Sequence, residues 1–160
     1  MSDEMVVPYQ LPLDADGFLR RECPTCGREF KWHHTSSESD APTPPWAGGY
    51  FCPYCAVQAQ PNAWFTQAQL AYVNRVVEAD VVGPEIDKLG EAIRDIARRS
   101  GGLIQAKGST YRAPARPDPL TEDNDMRQVD FTCHPTEPIK VSDDYEGAVQ
   151  CLVCGAPPDN

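Results

Sequence analysis

Short segments of alternating apolar and polar residues lie near both ends of the chain, and two longer helical patterns lie between them. Residues 29–33, Glu-Phe-Lys-Trp-His, alternate like a strand with one buried face. Residues 18–22 precede them as another strand, after a turn signal at 13–17. We therefore predict a β-hairpin module from about residue 11 to residue 60, with the Ser- and Pro-rich residues 34–48 as its loop.

Two helices are predicted in the middle of the chain. Thr66 and Gln69 form a capping-box pattern, which opens a first helix that runs to about Val82. The Gly-Pro pair at 83–84 breaks or restarts this helix, because proline suits a first helical turn. The second helix ends at about Ser100, where two glycines follow. Its apolar residues recur every three or four positions and form one narrow stripe, made of Ile86, Leu89, Ile93 and Ile96.

The apolar faces of these helices need a surface to cover them. In the ordinary interpretation, the helices pack on each other and on the β module through Tyr72, Val76, Ile86 and Ile93. In the alternative, the stripe meets the same residues of another chain, or a groove on a partner protein. Because two heptads are too short for a stable isolated coiled coil, self-association would need further contacts.

The last third of the chain predicts a linker and a second small β module. Residues 105–125 contain several prolines and no periodic pattern, which is typical of a linker. Strand-like segments follow at 129–134 and 139–141, with a turn signal at Asp143-Asp144. These segments predict a β module that begins at about Met126.

Three Cys-x-x-Cys pairs are the strongest chemical signal in the sequence. Cys23 and Cys26 form the first pair, and Cys52 and Cys55 form the second. Two residues between thiols allow one tight turn to aim both sulfurs at one ion, and two such turns across a hairpin make a four-sulfur cage. A thioredoxin-like redox role lacks support, since no βαβ pattern surrounds either pair. These four cysteines are therefore predicted to hold one structural metal ion.

A second metal site is predicted from the third pair, Cys151 and Cys154, together with Cys133 and His134. Neighbours on a strand point to opposite faces, so Cys133 and His134 can converge only through a turn, which Pro135 could supply. We favour this closed site of three thiolates and one imidazole. In the alternative, His134 lies outside the site, and water or a group from elsewhere takes the fourth position. A metal-bound water could be catalytic.

The first site resembles the zinc-ribbon superfamily. The residues that carry the resemblance are Cys-Pro-Thr-Cys-Gly at 23–27, Phe30 on the next strand, and Tyr-Phe-Cys-Pro-Tyr-Cys at 50–55. Rubredoxins, which bind iron for electron transfer, share the Cys-Pro-x-Cys-Gly turn, but Ala56 stands where they carry a second glycine. The resemblance implies Zn²⁺, with two ions per chain if both sites are filled. The three-part plan also resembles uncharacterised bacterial double zinc-ribbon proteins, which implies no activity.

Together these patterns predict a small metal-stabilised α+β protein in which two zinc-ribbon β modules bracket a helical segment. The chain of 160 residues contains 16 prolines and 11 glycines, and small modules of this kind need metal to supplement a limited apolar core. The predicted parts are an N-terminal ribbon at 1–62, a helical segment at 63–100, a linker at 101–125 and a C-terminal zinc-binding module at 126–160.

The charge of the chain bears on its partners. The formal net charge is -10, and the acidic excess is largest after residue 120, where we interpret the carboxylates as a solvated face. Such an excess repels a phosphate backbone, which disfavours nucleic-acid binding. The alternative, a nucleic-acid- or transcription-associated ribbon, would depend on a basic strip near the first Cys-x-x-Cys pair, made of Arg20, Arg21, Arg28 and Lys31.

The sequence also bears on where the protein is located and on whether it is an enzyme. No apolar run approaches the ~20 residues of a membrane span, the N-terminus lacks signal-peptide features, and seven is an odd number of cysteines for a disulfide framework, so we expect a reducing cytoplasm. None of the common catalytic or nucleotide-binding motifs occurs, neither G-x-S-x-G, a P-loop, G-x-G-x-x-G nor HExxH.

His33 and His34 would be redundant as metal ligands beside four cysteines. We expect a non-catalytic accessory or adaptor protein that contacts a partner or a second copy through its helices; an iron electron carrier is a further alternative.

Overall fold

A computed structural model describes residues 7–33, 49–105 and 111–158. The predicted loop at 34–48, which includes His34, lies outside these residues. The chain forms two compact units. Of the described residues, the β unit comprises 11–33, 49–69 and 120–158, and the helical unit comprises 7–10, 70–105 and 111–119.

The β unit is built on one four-stranded antiparallel sheet that joins the two predicted modules. The described strands of the unit are β1 (Phe18–Glu22), β2 (Glu29–His33), β3 (Tyr50–Phe51), β4 (Gln58–Ala59), β5 (Met126–Val129) and β6 (Ile139–Ser142). The order in the sheet is β1-β2-β6-β5, while β3 and β4 form a separate hairpin. β2 pairs directly with β6, with Phe30 opposite Val141. Strands that the sequence assigned to two modules therefore share one sheet.

One face of this sheet carries the apolar core. Phe30, Ile139 and Val141 are fully buried on it, as the alternating pattern of β2 predicts for Phe30. Trp64, which follows β4, packs edge-to-face on Phe30 with ring centroids 5.6 Å apart. The other buried residues of this cluster are Cys23, Tyr50, Cys52, Phe131, Val149, Cys151, Leu152 and Val153. The cysteine turns thus pack against the sheet and form part of its core.

The opposite face of the sheet carries a row of basic side chains. Arg20 on β1 lies opposite Lys31 on β2, and Lys31 lies opposite Lys140 on β6. Both lysines are buried, with 0% of Lys31 and 2% of Lys140 exposed. The alternating pattern predicts one buried face for β2, and the structure buries both. Buried ammonium groups need a counter-charge, because their desolvation is costly.

Acidic residues from two segments supply that counter-charge. Asp14 Oδ2 lies 2.8 Å from Lys140 Nζ and 3.3 Å from Lys31 Nζ. Glu122 Oε1 lies 2.9 Å from Lys31 Nζ and 2.8 Å from Arg20 Nη2. The side chain of Glu122 is only 6% exposed. The interpretation of these carboxylates as a solvated face is therefore wrong for Glu122, which covers the basic row.

The Tyr54 side chain connects β2 to β6 by hydrogen bonds, just beyond the last backbone pair between these strands. Its hydroxyl donates to the carbonyl oxygen of Glu29 at 2.6 Å and accepts the backbone N–H of Ser142 at 3.1 Å. Because Phe30 and Val141 form the last direct pair, the hydroxyl stands in the position of the next one. Tyr54 lies between Cys52 and Cys55 in the sequence, so this bridge connects the second cysteine turn to the joint of the sheet.

The helices begin with the predicted capping box. The Gln69 N–H donates to Thr66 Oγ1 at 3.1 Å, and the Thr66 N–H donates to Gln69 Oε1 at 3.0 Å. These reciprocal bonds satisfy two backbone donors at the first turn of α1 (Gln67–Val77). The capping box is therefore confirmed.

A π-helical segment (Glu78–Val82) joins α1 to α2 (Gly83–Arg99). Gly83 is itself helical, with φ -57° and ψ -57°, and its N–H donates to the carbonyl oxygen of Glu78. The wider turn accommodates Pro84, which has no N–H and whose ring conflicts with an ordinary α-helical carbonyl. The Gly-Pro pair thus restarts the α-helix without a loop. In the described part of the chain, no helix is both long and apolar enough to cross a membrane.

The apolar residues of the two helices are covered to different extents. Tyr72 and Val76 on α1 are buried. On α2, the exposed fractions are 60% for Leu89, 45% for Ile93 and 57% for Ile96. The ordinary interpretation is therefore wrong for Ile93, whereas Tyr72 and Val76 are covered and Ile86 is half-buried. Three of the four stripe residues of α2, Leu89, Ile93 and Ile96, therefore face solvent.

Candidate metal centres

The four sulfurs of the first cluster lie at the spacing of a tetrahedral metal site. Cys23, Cys26, Cys52 and Cys55 each place Sγ within 4.8 Å of the other three. The Cys23–Cys55 distance is 3.7 Å and the Cys26–Cys52 distance is 3.8 Å. A tetrahedral ion with metal–sulfur bonds of about 2.3 Å separates its sulfurs by about 3.8 Å. The residues present therefore fit one ion, as the sequence predicts.

In the first cysteine turn, backbone N–H groups stabilise the thiolate form of Cys23. The N–H groups of Thr25 and Cys26 both donate to Cys23 Sγ at 3.4 Å. The Gly27 N–H donates to the Cys23 carbonyl at 3.0 Å, and Gly27 has φ +69°. Glycine adopts this left-handed conformation without the steric cost that a Cβ imposes. The sequence Cys-x-x-Cys-Gly thus closes a turn whose backbone N–H donors face the Cys23 sulfur.

The second turn has the same construction with one difference. The Tyr54 N–H donates to Cys52 Sγ at 3.4 Å, and the Ala56 N–H donates to the Cys52 carbonyl at 3.0 Å. Ala56 has φ +57°, and it is the sole non-glycine residue with positive φ in the described ranges. Ala56 therefore has the same left-handed conformation as Gly27 in the first turn, and its Cβ makes that conformation strained.

Charge is distributed unevenly among these thiols. Burial raises the pKa of Cys23, but the N–H groups of Cys26 and Thr25 outweigh it, so the net shift is downward. Burial raises the pKa of Cys52 well above its usual range, against the N–H groups of Cys55 and Tyr54. Four clustered thiols cannot all ionise without a cation between them, because like charges this close repel. A divalent ion would remove this conflict.

The second cluster combines three thiols and one imidazole. The donor atoms of Cys133, His134, Cys151 and Cys154 also lie within 4.8 Å of one another. His134 Nδ1 is 3.4 Å from Cys151 Sγ, and Cys133 Sγ is 3.5 Å from Cys154 Sγ. Tetrahedral zinc with such donors separates nitrogen from sulfur by about 3.6 Å. The structure thus brings His134 into the cluster, which corresponds to the closed alternative. Two cysteine-rich sites per chain can hold metal ions.

A turn allows the adjacent Cys133 and His134 to converge. Neither residue belongs to a strand, and the Glu137 N–H donates to the His134 carbonyl at 3.0 Å. Pro135 follows His134 in this turn, as predicted from the sequence. Burial, and then the thiols of Cys154 and Cys151, raise the pKa of Cys133 to about 12. Without a metal ion, this thiol is protonated at neutral pH.

The third cysteine turn repeats the first two. The Gly155 N–H donates to the Cys151 carbonyl at 2.8 Å, and Gly155 has φ +70°. The Cys151 N–H donates to the Ala156 carbonyl at 2.7 Å. A Cβ on Gly155 would meet the Phe51 ring at 2.9 Å, so this glycine is required by packing as well as by conformation.

The two clusters are joined through their turns. The Phe51 N–H donates to the Leu152 carbonyl at 2.8 Å, and the Gln150 N–H donates to the Pro53 carbonyl at 2.8 Å. Each bond connects the residue before one cysteine pair to the residue after the first cysteine of the other pair. Structural damage at one metal site will therefore reach the other through backbone hydrogen bonds.

The other candidate residues are not among the donors of either cluster. His33 stacks edge-to-face on Phe18 with ring centroids 5.5 Å apart. Arg21 lies over the Trp32 ring at 4.4 Å, and Arg28 lies over the Tyr54 ring at 5.6 Å. Sequence reasoning did not single out the carboxylate at position 14. The sequence does contain a signal for this ion-pair site. Each lysine that contacts Asp14 stands between two apolar residues, in Phe-Lys-Trp of β2 and Ile-Lys-Val of β6.

Comparison of this chain with protein-family models, with curated proteins and with solved structures finds no match. The likeness to zinc ribbons therefore rests on the cysteine spacing and on the geometry of the two clusters.

Proposed function

We propose that this chain is a non-catalytic adaptor, in which two zinc ions hold the β unit together and the helical unit contacts a partner protein or a second copy of the chain. The zinc-ribbon resemblance supports zinc rather than iron in the first site. Thiolate donors support a reducing cytoplasm, where such pairs remain available to metal.

The closed donor sets support a structural role for the metal ions. Each cluster offers four protein donors. Zinc surrounded by four protein ligands has no open position for a water or a substrate, whereas catalytic zinc keeps one. Metal binding of this kind contributes directly to folding.

The exposed stripe of α2 carries the proposal of protein contacts. Three large aliphatic side chains, Leu89, Ile93 and Ile96, project from one helix face and are each about half exposed. Exposed apolar stripes with a helical period are typical of surfaces that another protein covers.

Charge supports a protein partner over nucleic acid. Of the four basic residues in the predicted strip, Arg20 and Lys31 contact carboxylates, and Arg21 lies over the aromatic ring of Trp32. Arg28 is exposed beside Tyr54 and Tyr145. A single cation gives little counterion release on a phosphate backbone.

Affinity capture of the tagged full-length chain from its native cells tests the proposal. We expect a protein partner in stoichiometric amount that survives nuclease and about 0.5 M salt, conditions that release non-specific nucleic-acid binding. Leu89→Asp should abolish capture, whereas Lys88→Asp on the neighbouring exposed position should retain it. Recovery of nucleic acid that salt releases, without a protein partner, would contradict the adaptor proposal and support the alternative.

A further inference from the structure

The stripe of α2 is bordered by small residues. Ile86, Leu89, Ile93 and Ile96 follow one another at spacings of three, four and three. Gly90, Ala92 and Ala97 lie beside them on the same helix. Small side chains beside an apolar stripe allow a second helix to approach closely. The surface is therefore shaped for a helix.

The charges of α2 are segregated along its length. Its first half carries the acidic residues Glu85, Asp87 and Glu91, and its second half carries the basic residues Arg94, Arg98 and Arg99. The two exceptions are paired within the helix, Lys88 with Glu85 and Asp95 with Arg98. This arrangement complements itself when a second copy of the helix runs in the opposite direction.

We propose that α2 binds α2 of a second copy of this chain in an antiparallel pair. This inference deepens the proposed function, since it names the partner of the stripe as the chain itself. With Leu89 opposite the partner copy's equivalent of Ile93, Ile86 falls opposite the equivalent of Ile96. Gly90 then faces its own equivalent at the two-fold axis, where the helices are closest.

Electrostatic pairing selects the same register. Glu85, Ala92 and Arg99 are spaced by seven residues and therefore border the stripe on one side. In the antiparallel register, Glu85 of each copy meets Arg99 of the other, so two equivalent ion pairs form by symmetry. A parallel pair would instead place the acidic halves together and the basic halves together, which is unfavourable.

The helix pair is short, so we expect its affinity to be low. α2 has 17 residues, and four apolar layers lie between Ile86 and Ile96. We expect a dissociation constant on the order of 10 µM, because helices of this length form weak isolated contacts. The dimer is therefore reversible over accessible concentrations.

Sedimentation velocity of the zinc-loaded full-length chain, from low to high micromolar concentration, tests the inference. We expect a monomer–dimer equilibrium. Arg99→Glu and Glu85→Arg should each raise the dissociation constant by about tenfold, since each creates two like-charge contacts. The double variant, Glu85→Arg with Arg99→Glu, should restore the wild-type constant. Arg94→Glu makes the same charge change at an exposed position outside the stripe and its border and should leave the constant within about twofold.

Two results would overturn the inference. A wild-type chain that remains monomeric throughout this range would exclude self-pairing. A dimer that does not respond to the charge exchange, or that the double variant fails to restore, would exclude the antiparallel register. Zinc content and helical circular dichroism of each variant identify misfolding. Because the purified chain contains no other protein, its failure to dimerise leaves the adaptor proposal to be decided by the capture experiment.

Discussion

Lys31 and Lys140 lie directly opposite each other across β2 and β6, and both ammonium groups contact the same oxygen, Asp14 Oδ2. Adjacent buried cations repel each other, so this pair is stable only with anions between and around them. Strands from the two ends of the sequence meet at this point. Their joint is held by apolar packing on one face and by ion pairs on the other.

The shared carboxylate gives a first prediction. Asp14→Asn keeps the side-chain oxygen that accepts the N–H groups of Asp16 and Phe18, and it removes the negative charge. We expect the free energy of unfolding to fall by about 3 kcal/mol, because two buried ammonium groups lose a counter-charge. Urea unfolding at neutral pH with saturating zinc measures this change. The exposed Asp143 provides the control, since Asp143→Asn should change stability by less than about 0.5 kcal/mol.

The same contact predicts a dependence on alkaline pH. Burial lowers the pKa of Lys140, but hydrogen bonds from its ammonium to Asp14 and Asp16 outweigh burial and raise it. Since the folded-state pKa lies above the unfolded value, the stabilisation is full below about pH 10.4 and is lost as the pH rises through the folded-state pKa. The stability difference between wild type and Asp14→Asn should therefore be constant from neutral pH to about pH 10 and shrink above it. A difference that grows with alkaline pH would contradict the ion-pair account.

Tyr54 gives a prediction about the joint of the sheet. Tyr54→Phe keeps the ring and removes the hydroxyl that bridges Glu29 and Ser142. We expect a loss of about 1 to 2 kcal/mol in the free energy of unfolding, because two backbone groups lose their partner. Tyr145→Phe is the matched control, since the Tyr145 hydroxyl makes a long contact of 3.4 Å to the Ala148 carbonyl. Equal losses in both variants would argue against a specific bridge.

The three cysteine turns predict an order of glycine effects. Ala56→Gly should raise the free energy of unfolding by about 0.5 to 1 kcal/mol, because the left-handed backbone is strained with a Cβ. Gly27→Ala meets nothing within 4 Å and should cost about 1 kcal/mol from conformation alone. Gly155→Ala should cost more, since its Cβ would meet the Phe51 ring at 2.9 Å. Thermal unfolding with zinc ranks the three variants, and a destabilised Ala56→Gly would contradict the common geometry.

The sequence predicted the parts of this protein whose signals are local. Metal-binding turns and the Thr66–Gln69 cap depend on residues within a few positions of each other, and both clusters of donors form as predicted. The pairing of β2 with β6 joins segments about a hundred residues apart, and no local pattern specifies that register. The prediction of two β modules considered the N-terminal and C-terminal segments separately, so it did not anticipate that their strands share one sheet.

Burial of charge was the other property that the sequence concealed. A lysine within a strand is ordinarily assigned to the solvent face, and an acidic stretch after prolines to a linker. Here Glu122 covers Lys31 because the chain returns across the sheet after the helical segment. The exposure of Leu89 is a tertiary property of the same kind, since a stripe has the same sequence whether it is covered or not.

In the proposed arrangement each chain has two metal sites closed by four protein donors each, four cysteines in the first and three cysteines with His134 in the second. Native mass spectrometry of the untreated chain tests it most directly, because it gives the metal, the number of ions and the oligomer together. We expect two zinc ions per chain in the wild type and in His33→Ala, and one in His134→Ala under mild chelator competition. One iron, a single zinc in the wild type, or two firmly held zinc ions in His134→Ala would contradict this account.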